Sequence, residues 1–280
     1  MTRCIACCTF VLLFLPRVLL AQTGQTSQDA PPLLLQGAMP IEVERLVAKL
    51  EGASVDQIGG YTFWRGTIDG YTVVVSKTLK GLANAGAATA LAIDHFHPRA
   101  IINQGTSGGH DSTLQLFDIV LGTSAVDLSA FRAPHRDAGA GSNPLNWRPI
   151  DLNKEGSASI SPPSVARFPG DTALLDAAHS VVKRYTRGKV VDGVIGSSDL
   201  WIDELDLIAR FHNDFGTSVE EMETAAAAQV AGIFKVPFLG IRIVSDNVTN
   251  GTAYNPKTSE ACEDYVYDVV KAYIARIRAR

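Results

Sequence analysis

The stretch EEMETAAAAQVAGIFKVPFLGIRIVSDN, residues 220–247, sets an acidic cluster at the mouth of an alanine-rich helix and a lone Asp just past an apolar strand. Glu223 and Asp246 thus stand at the two ends of one helix–strand unit. Such a pair is either a helix-terminus charge and a turn residue, or two carboxylates held over one pocket for acid–base work. Three other places carry polar groups after apolar runs: Gly37-Ala38-Met39 with Glu42, the glycine-rich Gly105–Gly109, and Ser198-Asp199-Leu200-Trp201. Each has a bland alternative. Glu42 could match the dipole of its own helix, the glycines could make a tight turn, and Trp201 could be core.

The elements that must position these groups follow from periodicity. The apolar run 33–39 reads as a buried strand, and 40–52 as a helix with Pro near its start and Gly at its end. Residues 61–78 alternate on either side of Asp69-Gly70, which predicts a hairpin. The pattern then gives a small-residue helix over 81–96, a strand over 100–110 running into the glycine-rich turn, and a strand over 118–128. Residues 129–168, rich in Pro, Gly, Ser and Asn, read as a long loop with Phe131, His135 and Trp147 unassigned. Beyond it come a helix (170–186), a strand (189–199), a helix (202–212), the opening helix–strand unit, and an amphipathic helix (259–277). Alternating strands and helices predict a single α/β domain, a central mixed β-sheet flanked by helices. Ligands in such folds sit beyond the carboxyl ends of strands, so the polar strand ends are expected on one rim.

Composition narrows the class. The 280 residues are 46% hydrophobic with a formal net charge of -4, which gives no basic footprint for nucleic acid. Residues 1–21 have a basic start at Arg3, an apolar core and a small residue at Ala21, the layout of a cleaved secretory signal. An uncleaved anchor is the alternative, but Arg17 interrupts a run barely able to cross about 30 Å of hydrocarbon. Residues 22–32 read as a flexible lead-in and 33–280 as the working domain. Cys4, Cys7 and Cys8 leave with the signal, so Cys262 remains as a small buried residue without a disulfide partner. His95 and His97 form no ligand spacing beyond a surface pair, so no metal is called for.

The stretches GAMPIEVERL, IINQGTSGG, SSDLWI and 220–247 fall in an order and spacing that resembles the methylthioadenosine/S-adenosylhomocysteine nucleosidases of the purine nucleoside phosphorylase superfamily. The resemblance implies a nucleoside phosphorylase-like fold and a hydrolase that cuts the N-glycosidic bond of an adenine nucleoside, without cofactor. That bond breaks through an oxocarbenium ion, so an acid must face the base, a carboxylate the ribose, and a base the attacking water. By the resemblance these are Asp246, Glu223 and Glu42. Met222 and Trp201 would line sugar and base, with Met39 and Ser245 beside them. Ile202 would offer main-chain bonds to the purine, and Thr106 and Arg242 would lie near the water and its carboxylates.

Two other readings stay open. A phosphorylase needs cations for phosphate, but the places where related phosphorylases carry arginines hold the MPIEV stretch and Asn103. A non-catalytic secreted nucleoside-binding protein need not keep all three acids. Departures from the family pattern are Leu82 in a lysine's place, the 129–168 loop, and residues 250–261. They leave the 5′ substituent open. The resemblance also implies a homodimer, and the signal implies a periplasmic or secreted location with no membrane attachment after cleavage.

Overall fold

A computed structural model describes residues 30–279. The signal expected over 1–21, and the lead-in as far as residue 29, lie outside them. Among the described residues no helix is long and apolar enough to cross a membrane.

The strands are β1 (Leu33–Gly37), β2 (Glu51–Ile58), β3 (Tyr61–Ile68), β4 (Tyr71–Lys77), β5 (Ala100–Gly109), β6 (Ile119–Asp127), β7 (Phe131–Arg132), β8 (Arg148–Pro149), β9 (Arg167–Pro169), β10 (Val190–Ser197), β11 (Thr217–Glu221) and β12 (Phe238–Asp246). The helices are α1 (Glu44–Ala48), α2 (Leu82–Phe96), α3 (Thr172–Val181), α4 (Leu205–Phe215), α5 (Thr224–Ile233) and α6 (Thr258–Arg278). One mixed sheet runs β11-β10-β6-β12-β5-β1-β4-β3-β2, with β9 on β6. Period-two alternation sorts its side chains. Leu33 and Leu35 pack on one face with Leu174 of α3 and Val266 of α6. Leu34 turns the other way, towards Ala92 of α2 and Ala228 of α5. Small residues let α2 lie against α5, as the 81–96 pattern predicts.

Local signals set several boundaries. Asp69 and Gly70 both have positive φ (49° and 68°), as a two-residue hairpin turn requires. Asp171 accepts a 3.0 Å bond from the Leu174 amide and caps α3. Gly216 closes α4 at φ 75°.

Three expectations need correction. The helix expected over 40–52 is a 3-10 turn at Pro40–Glu42 and the short α1, after which the chain enters β2. That strand is exposed almost throughout and pairs only with β3, so no apolar face marks it. The loop 129–168 holds the β7–β8 ladder and the start of β9. Gly105–Gly109 is not a turn. All ten residues of β5 are extended, and the glycines permit close approach: a Cβ on Gly105 would lie 2.6 Å from Glu42 Oε1, and one on Gly109 2.3 Å from Asn247 Nδ2.

The polar strand ends do come together, as expected: residues after β1 and β10 and at the ends of β5 and β12 line one cavity. The strands are not all parallel, since β6 runs antiparallel to β12, and β10 and β11 follow β6. The sheet joins those ends by closing on itself. Val219 and Glu220 of β11 pair antiparallel with Gly109 and Gly108 of β5. That closure carries residues 220–223 across the glycine-rich end of β5.

Candidate active site

Ring closure leaves a cavity of about 200 Å³ whose lining includes Met39, Glu42, Thr106, Met222, Glu223 and Asp246. Ser245 and Trp201 line it too. Eight of the ten residues singled out in the sequence therefore meet in one place.

Glu42 is 3% exposed, and each of its two oxygens accepts hydrogen bonds from the protein. Oε2 accepts from the amides of Ala38 and Met39 at 2.9 and 3.1 Å, which caps the turn after β1. Oε1 accepts from the Thr106 amide and hydroxyl at 2.9 and 3.0 Å. The helix-terminus reading of Glu42 is thus half right. One oxygen does that work, and the other ties the turn to β5.

The acidic cluster at 220–223 divides its labour. Glu221 caps α5, accepting from the Glu223 and Thr224 amides, each at 3.0 Å to Oε2. It also takes the Ser197 hydroxyl and two nitrogens of Arg242. Burial alone would raise its carboxyl; the Arg242 charge and these bonds outweigh it and hold Glu221 below the usual range. With capping done by its neighbour, Glu223 is free to face the cavity. Its side chain accepts a 3.0 Å bond from the Gly81 amide and stands 3.9 Å from Arg242 Nη2. Burial first, then the Glu221 charge, pushes the Glu223 carboxyl up to about 8, against the pull of Arg242.

Asp246 ends β12, where the ladder on β5 is irregular between Val244 and Asp246. Its carboxyl takes a 2.9 Å bond from Ser245 Oγ. Burial raises it, the Ser245 bond opposes, and the charges of Glu220 and Asp203 add to the rise. The following turn belongs to Asn247, whose side chain accepts from Thr249, so Asp246 is not a turn residue. Trp201 stands at the mouth, 68% exposed, edge-on to Tyr254 with ring centroids 5.9 Å apart. It is not core.

Two expected site residues are placed elsewhere. Arg242 is buried behind the cavity, bonded to Glu221 and, at 2.6 Å, to Asn103 Oδ1. A guanidinium held by Glu221 and Asn103 cannot turn to a water in the cavity. Ile202 buries its side chain with Leu207 and Phe211, and its amide donates to Glu220 Oε1 at 3.2 Å. It therefore has no free main-chain donor for a base. Sequence reasoning missed Glu220, Glu221, Lys80 and Tyr254. The two glutamates lie within 220–247, and strand alternation over 217–221 separates their faces. Of the loop aromatics, Phe131 stacks on Phe211 with centroids 5.8 Å apart and lines a neighbouring cavity of about 230 Å³ with Trp147. His135 is exposed. Burial pushes the Cys262 thiol up to about 12, which leaves it inert.

Comparison with known proteins fits this geometry. Residues 32–275 match the profile of the phosphorylase superfamily. The 5′-methylthioadenosine/S-adenosylhomocysteine nucleosidase of Psychromonas ingrahamii is 34% identical over 215 residues, 75% of this chain and 83% of that one. Among solved structures, the same nucleosidase from Neisseria meningitidis in complex with methylthio-immucillin-A superposes with a TM-score of 0.70 at 25% identity, covering 87% of this chain and 100% of that one. The Colwellia psychrerythraea nucleosidase in complex with adenine gives 0.68 at 27% identity, covering 88% and 96%. The chain belongs to the phosphorylase superfamily and, within it, to the 5′-methylthioadenosine/S-adenosylhomocysteine nucleosidase family.

Proposed function

We propose that the chain hydrolyses the N-glycosidic bond of an adenine nucleoside, of the methylthioadenosine/S-adenosylhomocysteine type or adenosine itself. The products are adenine and a ribose derivative, with water as nucleophile. The observation that carries this reading is that Glu42, Glu223 and Asp246, from three distant stretches, open on one cavity. The activity named for its relatives and the adenine-bound relative support it.

In this reading the Asp246 carboxyl, whose protonated form burial favours, gives its proton to the departing purine. Glu223 accepts from the ribose 2′- and 3′-hydroxyls. Two donated bonds favour its anion, which then faces the oxocarbenium charge. Glu42, aimed by Thr106, takes the proton of the attacking water. Trp201 and Met222 flank base and sugar. A phosphate dianion in the water's place would meet the Glu42 carboxylate, which disfavours phosphorolysis.

Adenine release from methylthioadenosine and from adenosine, in phosphate-free buffer, tests the assignment. Asp246→Asn should lower kcat by about 10²–10⁴-fold. Release that requires phosphate, or an Asp246→Asn variant as fast as wild type, would sink it.

Export and dimerisation belong to the same reading. The basic start and apolar run of residues 1–21 support a cleaved secretory signal and a periplasmic or secreted location. N-terminal sequencing of the exported chain checks this, and an intact Met1 refutes it. Exposed Leu200, Trp201 and Tyr254 at the cavity mouth support a homodimer that covers them. A monomer mass by light scattering would refute that.

A further inference from the structure

Gly108 is the register partner of two acids at once: Asp246 of β12 on one side and Glu220 of β11 on the other. A Cβ built on Gly108 would lie 3.4 Å from Asp246 Oδ2, 3.6 Å from Glu220 Cγ and 3.9 Å from Glu220 Oε1. Both carboxyls line the active-site cavity, so the bare glycine leaves a gap flanked by two acids.

Glu220 is held in that position from two directions. Its Oε1 accepts the Ile202 amide at 3.2 Å. The segment beside Trp201 therefore presents a carboxylate to the cavity in place of a free N–H. Its Oε2 is buried 3.4 Å from His110 Nε2, and neither atom has a hydrogen-bond partner. The His110 side chain is 1% exposed, and its Nδ1 lies 2.7 Å from Thr217 Oγ1. With the Thr217 hydroxyl donating to Nδ1, the ring proton sits on Nε2 and faces Glu220. His110 thus stands directly behind the carboxylate and limits where it can move.

The geometry points to Glu220, positioned by His110, as the residue that selects a 6-amino over a 6-oxo group on the purine. An exocyclic amine has two hydrogens and can donate to both acids that flank Gly108. A carbonyl oxygen in the same place donates nothing and faces the Glu220 carboxylate. It would set one acceptor against another in a buried place with no hydrogen between them, the kind of mismatch by which sites built around an N–H discriminate. This inference deepens the proposed function and rests on the base lying over Gly108.

Equilibrium binding of adenine and of hypoxanthine to the full chain tests it without reference to hydrolysis. Wild type should bind adenine much more tightly, and the preference should fall by about tenfold or more in Glu220→Gln, whose amide can also donate to an oxo group. His110→Gln should move the preference the same way by less. Because the readout is a ratio within one protein, a general loss of folding lowers both affinities and leaves it unmoved. Hypoxanthine binding to wild type as tightly as adenine, or a ratio in Glu220→Gln within about twofold of wild type, overturns the inference. A wild type that prefers adenine yet releases none from a nucleoside would instead count against the hydrolase reading alone.

Discussion

Arg242 bonds Glu221 through two guanidinium nitrogens and stands 3.9 Å from the Glu223 carboxyl, so one buried cation serves two acids unequally. That inequality separates their states. Glu221 is held ionised as a structural partner, while Glu223, with the weaker share of Arg242, is held near 8. Two adjacent carboxyls pushed apart in this way are characteristic of sites that need one acid to change its protonation during turnover.

Replacing Glu221 should therefore reach both stability and binding. Glu221→Gln leaves the Arg242 charge buried, a loss of about 3–5 kcal/mol for one partner of a buried ion pair. The Ser197 hydroxyl and the amides that cap α5 also lose part of their acceptor. Urea unfolding measures the first effect. The second is a fall in the Glu223 pKa, since its nearest negative neighbour is gone and Arg242 is freed towards it. An unchanged unfolding midpoint would mean that Arg242 is not neutralised by Glu221.

The pH dependence of ligand binding follows from Glu223. In the empty cavity its carboxyl titrates near 8, and ribose hydroxyls that donate to it favour the anion. Binding at lower pH must then expel a proton. Affinity for an uncleaved nucleoside analogue should be flat above about pH 8 and fall as the pH drops, towards tenfold per unit for one proton. Calorimetry in two buffers of different ionisation enthalpy would count the released proton. Affinity that rises as the pH drops from 8 to 6 has the wrong sign for this assignment.

A third prediction concerns the glycines of β5. On Gly105 a Cβ would meet Glu42 Oε1 at 2.6 Å, too close for any side chain. Gly105→Ala should push Glu42 off Thr106 and reduce kcat/KM by about 10²-fold, the scale of a 1 Å misplacement. In Gly232→Ala the new Cβ meets nothing within 4 Å and lies in α5. That variant should keep its activity and gain about 0.5–1 kcal/mol of stability. Equal activity in both variants would show that Glu42 does not need its present position.

What the chain discloses without coordinates divides along range. Glu42, Glu223 and Asp246 are legible because each follows a local strand or opens a local helix within a motif of fixed order. The Asp69-Gly70 turn and the small-residue face of α2 are local too. β2 is hidden because a polar edge strand paired on one side carries no apolar alternation. The antiparallel closure of β11 on β5 joins residues about a hundred positions apart, and no periodicity encodes it. From that one missed pairing follow the overlooked Glu220 and its bond to the Ile202 amide, one of the main-chain groups expected to serve the base.

The last prediction is a stability profile with an unusual sign. Glu263 of α6 is 1% exposed, and its Oε2 accepts the Arg45 and Leu46 amides at 2.9 and 3.0 Å, while its Oε1 is buried without a partner. Burial exceeds what those bonds return and lifts the carboxyl to about 7 from an ordinary 4.5. A folded-state pKa above the unfolded one means the contribution is fully present below about pH 4.5 and lost as the pH rises through about 7. Glu223 behaves the same way, with its loss complete above about 8. The ligand-free protein should therefore lose stability between about pH 5 and 8, each group adding at most about 1.4 kcal/mol per pH unit. In Glu263→Gln the side chain carries no proton to lose, so urea unfolding across that range should give a shallower slope than wild type. Parallel slopes for the two proteins would show that Glu263 is already ionised when folded.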